Sequence, residues 1–208
     1  GYTSLGASGN VAIASPTSDT SIRVGMGRGL SENGTLDSIH VGLSAQTSTQ
    51  VLDVTAFVNL ENTVTDSHNQ ISKVERTSLS VTTTKTFYTF TASGESLSIT
   101  NYILNAVGDG NDVATLVRIP IDTTEGVNNN FYSEQLTGVN SYTTMRDESP
   151  WTETETVAAQ RYSIYATYTA AAAAGPANLK SLDTNLKENI KSINTNLIAN
   201  VKSLNTNV

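Results

Sequence analysis

From about residue 10 to residue 170 the chain repeats one pattern: short runs rich in Val, Ile, Thr and Tyr, broken by Gly, Asn, Asp and Ser clusters roughly every 8–12 residues. Many of these runs are apolar at every second position. Side chains two apart share one face of a strand and fall on opposite sides of a helix, so the pattern commits this region to β-structure. Strands are expected over 10–15, 21–30, 51–60, 71–82, 84–91, 97–107, 113–121 and 161–169, with a further one after Leu36. In the 51–60 run, Val54, Ala56, Val58 and Leu60 share a face, and in the last run Tyr162, Ile164, Ala166 and Tyr168 oppose Tyr165. The two most apolar runs, 97–107 and 113–121, read as central strands. Ser31-Glu32-Asn33-Gly34 reads as a hairpin turn, because Asn and Gly tolerate positive φ. About eight to ten strands in this arrangement make a jelly-roll-like antiparallel β-sandwich.

The pattern stops at residues 170–176, where five alanines, Gly175 and Pro176 form a low-complexity linker. The expected organisation is a sandwich over 1–169, this linker, and a repeat segment over 177–208. The repeat has a period of 11 residues, read as NLKSLDTNLKE, NIKSINTNLIA and the incomplete NVKSLNTNV. Aliphatic residues recur at Leu179, Leu182, Leu186, Ile190, Ile193, Leu197, Val201, Leu204 and Val208, at spacings of 3, 4 and 4. Eleven residues make three turns at about 3.67 per turn, so all nine fall on one helical stripe suited to a nearly straight coiled coil. Asn, Ser and Thr are mediocre helix formers, each costing roughly 0.5 kcal/mol relative to Ala. A lone helix of this composition is marginal, and burial of the stripe between chains must stabilise it. A helical, oligomerising stalk is the expectation carried forward. Stacked short strands turning at Asn-Thr-Asn, and disorder in a lone monomer, stay open. The chain ends inside the third repeat, which leaves a longer native array open. Its start, Gly1-Tyr2-Thr3-Ser4, is expected to come from processing or from a longer protein.

Charge and cysteine narrow the function classes. Net charge is −7 without a basic cluster, which disfavours nucleic acid and anionic membrane as partners. The chain lacks a run of about 18 apolar residues, so no membrane insertion is expected. With no cysteine, disulfides, thiolate metal sites and cysteine nucleophiles are excluded. Charged residues make up 15% of the chain, against roughly 25% in ordinary soluble domains, and hydroxyl and amide side chains take their place.

Catalytic constellations are not apparent. His40 and His68 are the only imidazoles. His40 reads as a strand histidine, and His68 as part of the polar stretch 65–69. Neither a G-x-S-x-G elbow nor an H-E-x-x-H helix occurs. The densest acidic run, Asp147-Glu148 through Glu153 and Glu155, reads as solvated loop charge rather than as the carboxylate pair of a glycosidase. Asp109, Asn111 and Asp112 could offer oxygens to Ca²⁺, but without EF-hand spacing they read first as a hairpin turn. No other cofactor is expected. The section 123–159 exceeds ordinary loop length and is expected to be functional, interfacial or partly structured. It holds Phe131, Tyr132, Tyr142 and the single tryptophan, Trp151, whose rings could stack on a sugar or act as packing anchors.

The string Tyr162-Ser163-Ile164-Tyr165-Ala166-Thr167-Tyr168-Thr169 resembles the last strand of β-sandwich domains in tailed-phage virion proteins. Glu32-Asn33-Gly34-Thr35-Leu36-Asp37-Ser38-Ile39 resembles that family's second strand. Asn189-Ile190-Lys191-Ser192-Ile193-Asn194 is similar to the short Ile-Lys-Ser repeats that follow such sandwiches. The likeness spans most of 18–208, and its motifs are structural. It implies a fibre, appendage or surface-decoration role and a trimeric assembly. Related repeats often read Asn-Gly where this chain has Asn-Thr or Asp-Thr, which argues against tight turns in the tail.

The expectation is therefore a non-enzymatic structural or adhesive protein of a virion surface or extracellular appendage, self-associating through its tail and able to meet cell-surface glycan. A filament subunit donating the strand within 1–15 to a neighbour, and a secreted carbohydrate-binding module, are the alternatives.

Overall fold

A computed structural model describes residues 3–123, 129–153, 156–158 and 160–171. The expected stalk, with its aliphatic positions from Leu179 to Val208, lies outside them. The compact unit closes at Ala171.

The period-2 runs become antiparallel strands. One sheet contains β1 (Gly9–Ser15), β2 (Thr20–Gly29), β4 (Gln50–Leu60), β5 (Gln70–Val81), β8 (Asn101–Gly108) and β9 (Val117–Asp122). Within it β8 lies between β2 and β4, β5 flanks β4, and β1 joins β2 to β9. The second layer is built on β3 (Gly34–Ala45), with β13 (Ile164–Ala170) on one side and β6 (Thr86–Thr91) and β7 (Ser96–Leu97) on the other. The layers join because β3 runs on to pair Ser44 and Ala45 with Arg118 and Val117 of β9. The closing run changes layer too. β12 (Arg161–Tyr162) pairs with β9, and after Ser163 the chain continues as β13 on β3. Ser163 is fully buried at this switch; its amide donates to Pro120 O and its carbonyl accepts from Gly42 N. The antiparallel sheets thus wrap almost completely around one core.

That core holds the faces the alternation marks. Val54, Ala56 and Val58 of β4, Leu104 and Ala106 of β8, Ile39, Val41 and Leu43 of β3, and Ile164 of β13 are all buried in it. A bulge in β1, where Ala12 faces Arg118 and Ala14 faces Val117, leaves Ile13 as the extra residue and fully buried. Each such aliphatic side chain contributes roughly 1.5–3 kcal/mol by leaving water.

Some expectations need correction. The turn at 31–34 is not a hairpin: β2 and β3 belong to different layers, and neither Asn33 nor Gly34 has positive φ. Asn33 instead accepts the Ile99 amide on its side-chain oxygen at 2.9 Å. Gly34 lacks a Cβ because one would meet Tyr168 and the Thr169 carbonyl. The Asp109–Asp112 turn likewise joins β8 to β9, which are not paired with each other. The run 97–107 breaks between β7 and β8, and 113–116 stays outside β9. The section 123–159 contains β10 (Asn129–Leu136), the helix α1 (Ser141–Asp147) and β11 (Thr156–Ala158). β10 extends the first sheet along β2, and β11 pairs with β10.

Gly110 packs directly on the main chain of Thr20, where a Cβ would overlap backbone atoms. Gly110→Ala is expected to cost about 1–3 kcal/mol by overpacking. The urea midpoint should fall with an unchanged slope of stability against denaturant.

Candidate functional site

The outer face of the first sheet is not solvated. β2 directs Arg23 outward, β4 directs Thr55, Phe57 and Asn59, and β8 directs Ile103, Asn105 and Val107; all seven are buried. They are covered by α1 and by the segment from Glu148 to Glu153. Gly138 N donates to Ser18 O and the Ser141 hydroxyl to Asp19 O, anchoring the front of this cover. Met145 and Tyr142 of α1 pack on Phe57 and Val107, and the Tyr142 hydroxyl bonds Thr55 at 2.7 Å and donates to Glu75 at 2.9 Å. At the far end the main chains of Trp151 and His68 exchange two hydrogen bonds, 2.8 and 3.1 Å.

Arg23 occupies the centre with 0% exposure. Its guanidinium lies between two rings, 4.1 Å from the Phe57 centroid and 4.3 Å from that of Trp151. Nε donates to Asn105 Oδ1 at 2.8 Å, Nη2 to Asn59 Oδ1 at 3.1 Å and Nη1 to the Met145 carbonyl at 3.2 Å. Asn105 Nδ2 donates to Asn59 Oδ1, and Asn59 Nδ2 to the His68 carbonyl. Desolvation lowers the Arg23 pKa to about 10, against the attraction of Glu148, Glu134 and Glu153, so the group stays charged at neutral pH.

Three half-buried carboxyls ring this cation. Glu148 Oε2 stands 3.9 Å from Arg23 Nη1, and Glu134 accepts the Trp151 indole N–H at 3.2 Å. Burial, contact with Glu148 and repulsion from Glu148 and Glu153 push Glu134 up to about 7. Desolvation and Glu148 raise Glu153 as well. Glu148 Oε2 is buried and receives no hydrogen bond from a fixed donor. A proton retained on Glu134 supplies that donor, so Glu134 and Glu148 form a proton-sharing pair.

His68, expected in a polar loop, is fully buried against Tyr132 and Trp151. Its Nδ1 accepts the Asn62 amide at 3.1 Å, and Nε2 lies 2.9 Å from the Glu153 carbonyl. With Nδ1 accepting from the Asn62 amide, Nε2 is the nitrogen that donates to the Glu153 carbonyl. His40 stands on the second layer, stacked on Tyr165 at 4.4 Å, with its nitrogens against Ser38 and Thr89 hydroxyls; desolvation lowers its pKa.

Phe131, Tyr132, Tyr142 and Trp151 are 5%, 1%, 3% and 0% exposed, so their ring faces are covered by protein rather than offered to a sugar. Tyr132 and Trp151 pack together in the cover, Tyr142 on α1, and Phe131 against Tyr162. The acidic run is not simply solvated: Glu148 and Glu153 turn toward Arg23, and only Asp147 stays exposed, bonded to Lys73 and Arg146. Glu155 lies outside the described residues. Asp109 Oδ1 accepts from the Asn111 amide and side chain, closing the turn on itself, while Asn111 also donates to Val139 O. Among the described residues no group of three or more His, Asp or Glu side chains is placed to hold a metal ion.

Sequence reasoning found Trp151 and the acidic run but not Arg23, Asn59 or Asn105. The signal was polar residues at alternate positions of otherwise apolar strands, which reads equally as a solvent face. No known protein family, curated protein or solved structure matches the chain.

Arg23→Met is expected to cost about 3–5 kcal/mol in urea unfolding, because it strands Asn59, Asn105 and the Met145 carbonyl. The Glu134 pKa is about 7 in the folded state, above the ordinary 4.5, so the folded state binds its proton more tightly. Stability from this group is complete below 4.5 and is lost as pH rises to about 7. Glu134→Gln, which keeps both a donor and an acceptor, should flatten the fall in urea midpoint across this range. An unchanged slope in the variant would rule out the proton-sharing pair.

Proposed function

We propose that this chain is a non-enzymatic structural or adhesive module of a virion surface or extracellular appendage, carried on and oligomerised by its repeat tail. The observation that carries the reading is the repeat itself, in which nine of the ten Leu, Ile and Val residues keep the 3-4-4 spacing of a single helical stripe and only Ile198 falls off it. An apolar stripe of this kind needs a surface to cover it, and a repeat of constant period suits the same stripe on a second copy of the chain. A homo-oligomer is the assembly this implies; the preference for a trimer comes only from the resemblance to phage-virion sandwiches.

The folded unit is compatible with that role. Its wrapped antiparallel sheets suit a jelly-roll-like sandwich, and its Arg23 cluster is satisfied by internal partners in the manner of a stabilising clamp. The hydroxyl-rich surface fits an extracellular setting, where cell-surface glycan is the adhesive target in view; no role for nucleic acid, membrane insertion or a cofactor enters this reading, and calcium at Asp109, Asn111 and Asp112 would be incidental. Strand donation from the N-terminus is the less favoured reading, because β1 is hydrogen-bonded to β9 and β2 within its own sheet. A donor strand needs an unsatisfied partner edge elsewhere.

The test compares the native mass of the full chain with that of a chain ending at Gly175 and of the double variant Ile190→Asp, Ile193→Asp. Discrete oligomers in the first and folded monomers in the other two are expected. A monomeric full chain, or oligomers that survive both changes, would refute the stalk.

A further inference from the structure

At one end of the sandwich the two layers leave a gap in the core, a cavity of about 150 Å³. The first sheet lines it with Val58 of β4 and with Tyr102 and Leu104 of β8, and the second layer with Leu36 of β3 and with Ala166 and Tyr168 of β13. Leu36, Val58 and Leu104 are buried, so the inner wall is aliphatic. The gap follows from the strand that closes the second layer. Ile164, Ala166 and Tyr168 of β13 all pack on the main core. Ile164 fills its place, but Ala166 brings only a methyl group, and Tyr168 carries its hydroxyl outward to exposed Glu32 at 3.1 Å.

Water has little to bind at the inner end of this space. A buried water needs two to four polar partners, and three aliphatic side chains supply none. The tyrosine oxygens are committed as well. That of Tyr102 accepts the Ser98 amide at 2.8 Å and donates to the Ser98 carbonyl at 3.0 Å, and that of Tyr168 is held by Glu32. An apolar molecule entering from solvent gives up no hydrogen bond and removes its own surface from water, which is the ordinary driving force for burial. It also supplies the packing contacts that the wall of a void lacks.

We propose that this cavity is a binding site for a small, neutral, single-ring aromatic molecule. Size sets the class: an apolar protein cavity of about 150 Å³ is large enough to take up benzene. Bound there, the ring touches β3 and β13 on one side and β4 and β8 on the other, and so joins the two layers where the core itself does not. The inference goes beyond the oligomeric role argued above and does not rest on it.

The test titrates the intact chain, labelled at its Leu and Val methyl groups, with benzene and reads methyl shifts and intermolecular NOEs by NMR. Benzene should bind saturably at roughly millimolar concentration, as expected for so few atoms, with NOEs to the methyls of Leu36, Val58 and Leu104. The urea midpoint should rise with benzene concentration, since only the folded chain has the site. Ala166→Leu grows into the empty space, so it should raise the midpoint without benzene and weaken benzene binding about tenfold or more. Benzoate, the same ring carrying a charge, should bind about tenfold more weakly, because an aliphatic wall does not replace the water around a carboxylate. If Ala166→Leu fails to fold, the NOEs in the unaltered chain decide the site. The proposal is overturned by the absence of saturable benzene binding, by NOEs confined to other methyls, or by undiminished binding in a folded Ala166→Leu chain. Benzoate binding as tightly as benzene would overturn the neutral class.

Discussion

An arginine with no exposed surface sets the terms for half of this molecule. Burial of a single charge is tolerated only where hydrogen bonds and counter-charge replace water, and removal of a partner costs several kcal/mol. Arg23 meets that demand with two asparagine oxygens, a main-chain carbonyl, two aromatic faces and a ring of carboxyls. These partners come from four parts of the chain. Asn59 and Phe57 come from β4, Asn105 from β8, Met145 from α1 and Trp151 from the segment beyond it. One guanidinium thus ties three adjacent strands to the cover that lies over them.

The consequence is a sheet buried on both faces. Towards the sandwich interior β2, β4 and β8 present aliphatic side chains, and hydrophobic burial holds the layers together. Towards the cover they present a mixed set, Thr55, Phe57, Asn59, Asn105 and Arg23, which directional contacts must satisfy. The first face tolerates repacking of similar volume; the second does not, because each polar atom has one geometrically suitable partner. His68 extends the same logic to the loop between β4 and β5. Its imidazole spans the Asn62 amide and the Glu153 carbonyl and holds that loop against the cover.

The carboxyl pair makes this region the acid-responsive part of the fold. Glu134 and Glu148 lie close enough that a proton between them is more favourable than two charges, even beside Arg23. Most stabilising carboxylates have depressed pKa values, and they weaken a protein as pH falls. For Glu134 the sign is reversed, because its raised pKa favours the folded state as pH falls through about 7. The second layer has no such arrangement in the contacts described for it: its outer face carries His40 stacked on Tyr165, with Ser38, Thr89 and Thr167 hydroxyls around them.

The sequence by itself determined the class of fold, most strand positions and, in the clearest runs, which residues share a face, because a period of two is a local property of the chain. Val54, Ala56 and Val58 needed no knowledge of their neighbours to be placed on one face. It also determined the 11-residue stripe from Leu179 to Val208, again a local regularity. Tertiary structure alone decided which strands pair. The Asn33-Gly34 turn had the residues of a hairpin, yet β2 found its partners in β8 and β10 and β3 in β13, β6 and β9. It alone decided too that Arg23, His68 and Trp151 are interior. A polar residue at an alternate strand position faces either water or another layer, and the residues that settle the matter for Arg23 include Met145, 122 positions away. Period is written in neighbours, but the burial of a charge depends on what the rest of the chain brings to it.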